Sequence, residues 1–230
     1  MPPNTFVIVT ARNEAQSIAP TLAGLSRALP GAVLMVCDDG STDATSELAR
    51  TAGAQVLAAP GPLGKGAAAS LGAEEALRRL NDRADAGGVV VVLCDGDLGA
   101  SAAQLAALVG AVRRDEADLA IAAFAKRQGG GFGLALGFAR WAVRRCCRVG
   151  LSAPISGQRA LKAEVLRDVL PFADGFGMEL GMTIDALRAG YRLAEIELDL
   201  SHRATGRTPL GFAHRARQLR DFVRAYRARL

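Results

Sequence analysis

Short apolar runs rich in β-branched residues alternate along the chain with longer stretches whose apolar residues recur every three to four positions. Phe6 to Thr10 (FVIVT) reads as a strand, and Ile18 to Leu29 as a helix that Pro30-Gly31 breaks. Ala32 to Cys37 (AVLMVC) repeats the strand signal, Asp38 to Thr42 (DDGST) is a turn, and Asp43 to Ala52 follows as a helix capped by Ser41 or Thr42. Val56 to Ala58 is a short strand, Pro60 to Gly66 a loop, and Ala67 to Leu80 an Ala-rich helix. Val89 to Cys94 (VVVVLC) is the clearest buried strand, after which Ser101 and Gln104 have the spacing of a capping box opening a helix to about Arg113.

The second half is less regular. It contains a strand at Leu119 to Phe124, a Gly-rich loop at Gly129 to Gly133 and a helix to about Val149. Helices near Ala163 to Leu170 and Glu179 to Ala189, a strand at Arg192 to Leu200 and a terminal helix complete the pattern. Alternating strands and helices predict an α/β fold, with a mostly parallel central sheet flanked by helices. Ligands of such sheets sit outside the carboxyl ends of the strands. Three polar clusters fall at those ends: Arg12-Asn13-Glu14, Asp38-Asp39 and Asp95-Gly96-Asp97.

Composition narrows the class. A 230-residue chain with 50% hydrophobic residues and a mean hydropathy of +0.18 has enough apolar surface for one sizeable core, which excludes disorder as a whole-chain description. Aromatic residues are only 5%, against 45 Ala and 26 Gly, which favours helices packed closely on a sheet. Four cysteines without C-x-x-C spacing exclude a zinc ribbon and a disulfide scaffold. The longest uncharged stretch, Leu98 to Val112, is 15 residues, short of the roughly 20 that span a bilayer. The N-terminus lacks a basic segment followed by an apolar one, so a cytoplasmic location is expected.

The net charge of +5 is unevenly placed: from Ser201 onward there are eight Arg and one Asp. No nucleic-acid motif accompanies them. On a helical wheel Phe212, Leu219, Phe222, Val223, Tyr226 and Leu230 share one side, and Arg217, Arg220, Arg224 and Arg227 another. Such a helix packs on its own core or lies on an anionic membrane surface, peripheral on the inner face of the cell membrane.

Asp95-Gly96-Asp97 places two carboxylates at the mouth of a buried strand, separated by a residue small enough for a ligand to approach the backbone. Hard oxygen ligands of this kind suit Mg²⁺ or Mn²⁺ bridging a diphosphate; the same D-x-D also fits a turn with an Asp helix cap. Asp38 and Asp39 offer carboxylates to a nucleobase N–H or ribose hydroxyls, or build a Gly turn. Gly64-Lys65-Gly66 fails the P-loop pattern, which needs Gly at 59 and Ser or Thr at 66, where this chain has Ala59 and Gly66. Lys65 is then a cation near a diphosphate or a solvated lysine.

Taken in order, these segments resemble the family 2 inverting glycosyltransferases of the GT-A fold, especially the branch of dolichyl-phosphate and polyprenyl-phosphate sugar synthases. The resemblance rests on Val9-Thr10-Ala11-Arg12-Asn13-Glu14, Asp38 to Asp43 (DDGSTD), Gly64-Lys65-Gly66, Asp95-Gly96-Asp97, Ser156-Gly157-Gln158-Arg159, Gly175 to Met182 (GFGMELGM) and the tail Arg203-Ala-Thr-Gly206-Arg207-Thr208. It implies a single GT-A domain over 1–230, with a nucleotide-sugar-binding half to about 125, an acceptor half over 126–208 and a basic amphipathic helix over 209–230.

It also implies roles. Ala11, Glu14, Asp38, Asp39, Gly64, Lys65 and Asp95 are expected at the nucleotide, Arg203 and Arg207 at the diphosphate, and Ser156, Gly157, Gln158 and Arg159 on the acceptor side. Asp97 is the expected main metal ligand and a catalytic residue, with Asp95 beside it and His202 completing the shell; Glu179 is the expected general base. The donor is a nucleoside-diphosphate sugar, with UDP favoured, and the acceptor a polyprenyl phosphate or another lipid-linked or small hydroxyl compound. The sequence departs from the family pattern at Thr10, where Pro is usual, at Gly99, which has no side chain to ligate, and at Ala153, where lipid-phosphate enzymes often carry Asp. Competing readings are a noncatalytic nucleotide-sugar-binding or membrane-docking subunit and a haloacid-dehalogenase-type phosphatase. The phosphatase motif opens its chain, however, whereas here it stands at residue 95.

Overall fold

The computed structural model describes residues 4–59, 61–81, 88–124, 133–201 and 209–230. The β-branched runs form the strands β1 (Thr5–Ala11), β2 (Val33–Asp38), β3 (Gln55–Ala58), β4 (Val90–Asp95) and β5 (Leu119–Phe124), followed by β6 (Arg159–Lys162) and β7 (Leu193–Leu198). The helices are α1 (Ile18–Ala28), α2 (Thr45–Thr51), α3 (Lys65–Asn81), α4 (Ala106–Arg113), α5 (Leu134–Cys147), α6 (Ala163–Val169), α7 (Gly177–Arg188) and α8 (Pro209–Arg227).

The seven strands form one sheet in the order β3-β2-β1-β4-β6-β5-β7. β1, β2, β3 and β4 are parallel, and β5 pairs parallel with β7. Only β6 runs against its neighbours β4 and β5. Successive side chains of a strand face opposite sides, and both sides are covered here. Val7, Val9, Val90 and Val92 pack beneath α1 and α4, whereas Phe6, Ile8, Val91 and Leu93 pack against α3, α6 and α7. A further apolar cluster joins α5, α7 and α8 through Ala142, Val143, Leu180, Ile184 and Phe222. This is the mixed α/β, mostly parallel architecture expected from the sequence. All four cysteines are free, and burial pushes the Cys37 thiol up to about 12.

Local signals were overridden in several places. Neither Ser41 nor Thr42 caps α2, whose N-cap is Ala44; Asp43 instead accepts the Thr45 N–H at 3.0 Å. Ser101 and Gln104 form no capping box, because the segment Gly99–Leu105 is a 3₁₀ turn preceding α4. There Ser101 donates to the Leu98 carbonyl, and Gln104 exchanges two hydrogen bonds with the Asp199 backbone, reaching across to the end of β7. Strand β6 was missed altogether. Its four residues begin with an arginine and end with a lysine, a pattern that carries neither alternation nor a β-branched run. On α8, Phe222 and Ala225 are buried against the rest of the chain, so that part of its apolar side packs on the protein's own core.

Candidate active site

Parallel pairing lines up the exits of β1, β2 and β4, with Ala11 opposite Asp38 and Thr10 opposite Asp95. The loops leaving β1 and β2 are laced together. Asn13, at φ 57°, accepts the Thr42 N–H at 2.9 Å and donates its own N–H to Ser41 Oγ at 2.9 Å, and the Glu14 N–H donates to Thr45 Oγ1 at 2.8 Å. Asp38 is buried and accepts from the Ser41 N–H at 2.8 Å and from the Ser46 hydroxyl, so one of its oxygens serves its own turn and the other the start of α2. Asp39 Oδ1 accepts the N–H groups of Leu63 and Gly64 at 2.6 and 2.9 Å. The loop that ends in Lys65 is thereby held to the exit of β2.

Lys65 is the first residue of α3, and its neighbour Gly66 leaves no space for a side chain: a Cβ there would stand 2.2 Å from the Ala173 carbonyl oxygen. This close approach brings the segment before α7 against the start of α3. Lys65 Nζ then lies 2.6 Å from Asp95 Oδ1 and 2.7 Å from Glu179 Oε1. The Lys65 side chain is 21% exposed and that of Glu179 only 5%. Burial pulls the ammonium towards losing its proton, yet the charges and hydrogen bonds of Asp95 and Glu179 more than offset this and hold its pKa above the ordinary lysine value.

Asp95 has further partners. The Thr10 hydroxyl donates to its Oδ1 at 3.3 Å, and Gln158 Nε2 donates to its Oδ2 at 2.8 Å. The Asp95 backbone N–H donates to Gln158 Oε1 at 3.0 Å. Gly157 sits against the same group, where an added Cβ would approach Lys65 Nζ to 2.6 Å and Asp95 Oδ2 to 2.8 Å. Arg159 is 0% exposed; it donates to the carbonyls of Ser156 and Pro154 at 2.8 Å each and to Thr183 Oγ1 on α7 at 3.0 Å. Burial draws its pKa down to about 10 against the influence of Glu179.

Asp95, Lys65, Gln158 and Glu179 are therefore brought together, with Asp97 half-buried two residues beyond Asp95. His202, Arg203 and Arg207 lie outside the described residues. Among the described residues no group of three His, Cys, Asp or Glu side chains stands ready to hold a metal. Asp95 and Asp97 nevertheless supply carboxylate oxygens of the hard type that a divalent cation takes. Asp95 already holds one positive charge, the Lys65 ammonium. Thr10 and Gln158 as partners of Asp95 were not foreseen; the only signal for Thr10 was a hydroxyl-bearing residue where Pro is usual.

Residues 6–167 match the family described as "Glycosyl transferase family 2". The chain belongs to family 2 of the glycosyltransferases. It is 30% identical over 221 residues, 89% of this chain and 86% of the relative, to an undecaprenyl-phosphate mannosyltransferase of Micrococcus luteus. Solved structures agree with this family 2 fold. Glucosyl-3-phosphoglycerate synthase from Mycobacterium tuberculosis, in complex with Mn²⁺, UDP-glucose and phosphoglyceric acid, superposes with a TM-score of 0.74 and 27% identity, covering 99% of this chain and 79% of that one. The same synthase with Mn²⁺, UDP and phosphoglyceric acid gives a TM-score of 0.76 at 27% identity, covering 99% and 78%. This family 2 member is thus a glycosyltransferase of the nucleotide-sugar-using kind. Among its described residues no helix is long and apolar enough to cross a membrane.

Proposed function

We propose that this glycosyltransferase moves a sugar from a UDP-sugar to the phosphate of a polyprenyl phosphate, with inversion at the anomeric carbon and with a divalent cation, Mg²⁺ or Mn²⁺. One observation carries the reading: a single ammonium, Lys65, joins a carboxylate at the donor end of β4 to a carboxylate at the start of α7. The Glu179 carboxylate is taken up by the Lys65 ammonium at 2.7 Å. An acceptor oxygen that arrives already ionised asks for no base at this position.

In the reaction, the bond from the anomeric carbon to the donor phosphate breaks and its electron pair leaves with UDP. The acceptor phosphate oxygen forms the new bond from the opposite face, and no proton has to move. Asp95 and Asp97 hold the cation, which when bound offsets the charge developing on the leaving diphosphate. Lys65 adds a fixed positive charge beside that group, and Glu179 orients Lys65. His202, Arg203 and Arg207 belong to the same proposal, as a metal ligand and diphosphate contacts. Asp38, Asp39, Glu14 and Ala11 form the nucleotide end, with Asp38 and Asp39 acting chiefly by shaping the turn and loop.

The relative acting on undecaprenyl phosphate supports the lipid acceptor. So does one surface. Leu134 and Trp141 are 69% and 51% exposed on α5, in helical register with the exposed Arg144, and the exposed Arg148 follows at the helix end. Trp141 packs on Tyr226 of α8 at 5.2 Å, and α8 exposes Arg217, Arg220, Arg224 and Arg227 on one stripe. Apolar side chains beside arginines match an anionic bilayer on the cytoplasmic side. A second reading, a small phosphorylated acid as acceptor, is favoured by the likeness to the phosphoglycerate enzyme. Incubation with UDP- and GDP-sugars and Mn²⁺, offering undecaprenyl phosphate in one arm and 3-phosphoglycerate in the other, decides between them. Transfer to neither acceptor, with no hydrolysis of any donor, would overturn the proposal.

A further inference from the structure

The Ser156-Gly157-Gln158-Arg159 segment stands where an acceptor contact is expected, yet its Gln158 side chain is spent on Asp95 at the exit of β4. We infer that Gln158 is a positioning residue for Asp95, and that this segment governs donor and metal affinity rather than acceptor affinity. The inference rests on the transferase reading above and assigns a residue of that same site.

Gln158 is 1% exposed, and its amide is used twice on one residue. Oε1 accepts the Asp95 backbone N–H at 3.0 Å, while Nε2 donates to Asp95 Oδ2 at 2.8 Å. Only one amide orientation satisfies both contacts, because a backbone N–H can only donate and a carboxylate can only accept. One bond ties the amide to the Asp95 main chain and the other holds its carboxylate, so the side chain is fixed relative to its own backbone. The other oxygen, Oδ1, takes Lys65 and Thr10. A neutral amide achieves this without cancelling the carboxylate's charge, which a lysine or arginine at 158 would do.

The clamp is itself held. The Gln158 carbonyl accepts the Ala122 N–H of β5 at 2.9 Å. Its neighbour Arg159 anchors the loop through Ser156, Pro154 and Thr183, and the Thr183 hydroxyl sits 2.8 Å from the Glu179 carbonyl oxygen. Asp95 and Glu179 are thus connected by two routes, directly through Lys65 and through Gln158, Arg159 and Thr183. Gly157 completes the arrangement, since any side chain there would displace Lys65 Nζ or Asp95 Oδ2.

The test uses the full chain and isothermal titration of UDP in the presence of Mn²⁺, together with KM for each substrate. Gln158→Met keeps the volume but removes both hydrogen bonds. It should weaken Mn²⁺-dependent UDP binding roughly tenfold or more while the acceptor KM stays within twofold. Gly157→Ala, whose added carbon would stand 2.6 Å from Lys65 Nζ and 2.8 Å from Asp95 Oδ2, should reproduce the effect and carries the test if Gln158→Met does not fold. A raised acceptor KM with unchanged UDP affinity in the folded variants would overturn the inference and return the segment to the acceptor. A wild-type chain that binds no nucleotide with either metal would remove the transferase reading, and this assignment with it.

Discussion

Asp39 at the exit of β2 holds the backbone of Leu63 through a 2.6 Å hydrogen bond and so makes the β2 turn and the loop ending in Lys65 one unit. The cation at the centre of the site is therefore positioned by a residue whose expected role was contact with the nucleotide. Asp39→Ala should lower donor affinity through Lys65. A variant with normal Mn²⁺-dependent UDP binding in calorimetry would show the loop keeps its place unaided.

Removing the shared cation should cost both stability and turnover. Lys65→Met removes the ammonium that joins Asp95 to Glu179 and leaves the two carboxylates to repel one another. The partly exposed site is expected to lose about 2 kcal/mol, less than a fully buried pair. Melting should fall by roughly 4–8 °C. Transfer should drop at least a hundredfold, and differential scanning calorimetry with initial rates checks both.

Glu179→Gln distinguishes the chemistry of the acceptor. With an ionised phosphate as nucleophile, kcat should fall no more than about tenfold, because no proton is abstracted, whereas loss of a true general base costs roughly 10²–10⁴-fold. Steady-state rates across pH 6 to 9 give the answer.

Asp97→Ala should abolish metal-dependent turnover and the thermal stabilisation by a UDP-sugar with Mn²⁺, while leaving the ligand-free melting temperature near wild type. EDTA should produce the same loss in the wild-type chain, restored by Mn²⁺ or Mg²⁺. Full activity in the variant would exclude Asp97 as a ligand.

Away from the site, Asp118 sets an acid limit on stability. Hydrogen bonds from Arg192, and then from Lys162, overcome its burial and hold its carboxyl well below the usual 3.8. A carboxyl depressed in the folded state stabilises the fold fully above pH about 4, and that contribution fades as pH falls through the folded value. Asp118→Asn should therefore be about 1–3 kcal/mol less stable at pH 7, with the gap to wild type closing below pH 4 in urea titrations.

Much of this arrangement was legible in the residues. β-branched runs such as VVVVLC marked the strands, and the parallel rule put Asp38 and Asp95 at strand exits of the same edge, where the pairing has them on either side of β1. What stayed hidden depended on contacts between distant segments. Lys65 read equally as solvated, because Asp95 and Glu179 are 30 and 114 positions away in the chain. Arg159 looked like a ligand-binding arginine, since nothing in S-G-Q-R says that three main-chain and hydroxyl oxygens would surround it. Gln104 suited a helix cap until the end of β7 supplied better-placed partners.

The reversed direction of β6 has a consequence for how such a protein can change. A ribbon laid the other way would bring its trailing end to the reaction rim and send residues 156–158 to the far edge of the sheet. As built, the segment between α5 and β6 enters the sheet at that rim, held at Ser152 and Ala153 by Arg140 and Glu195 and at Pro154 and Ser156 by the buried Arg159 guanidinium. Changes made upstream of residue 156 therefore reach the rim beside Asp95 without entering the parallel strands β1 to β4.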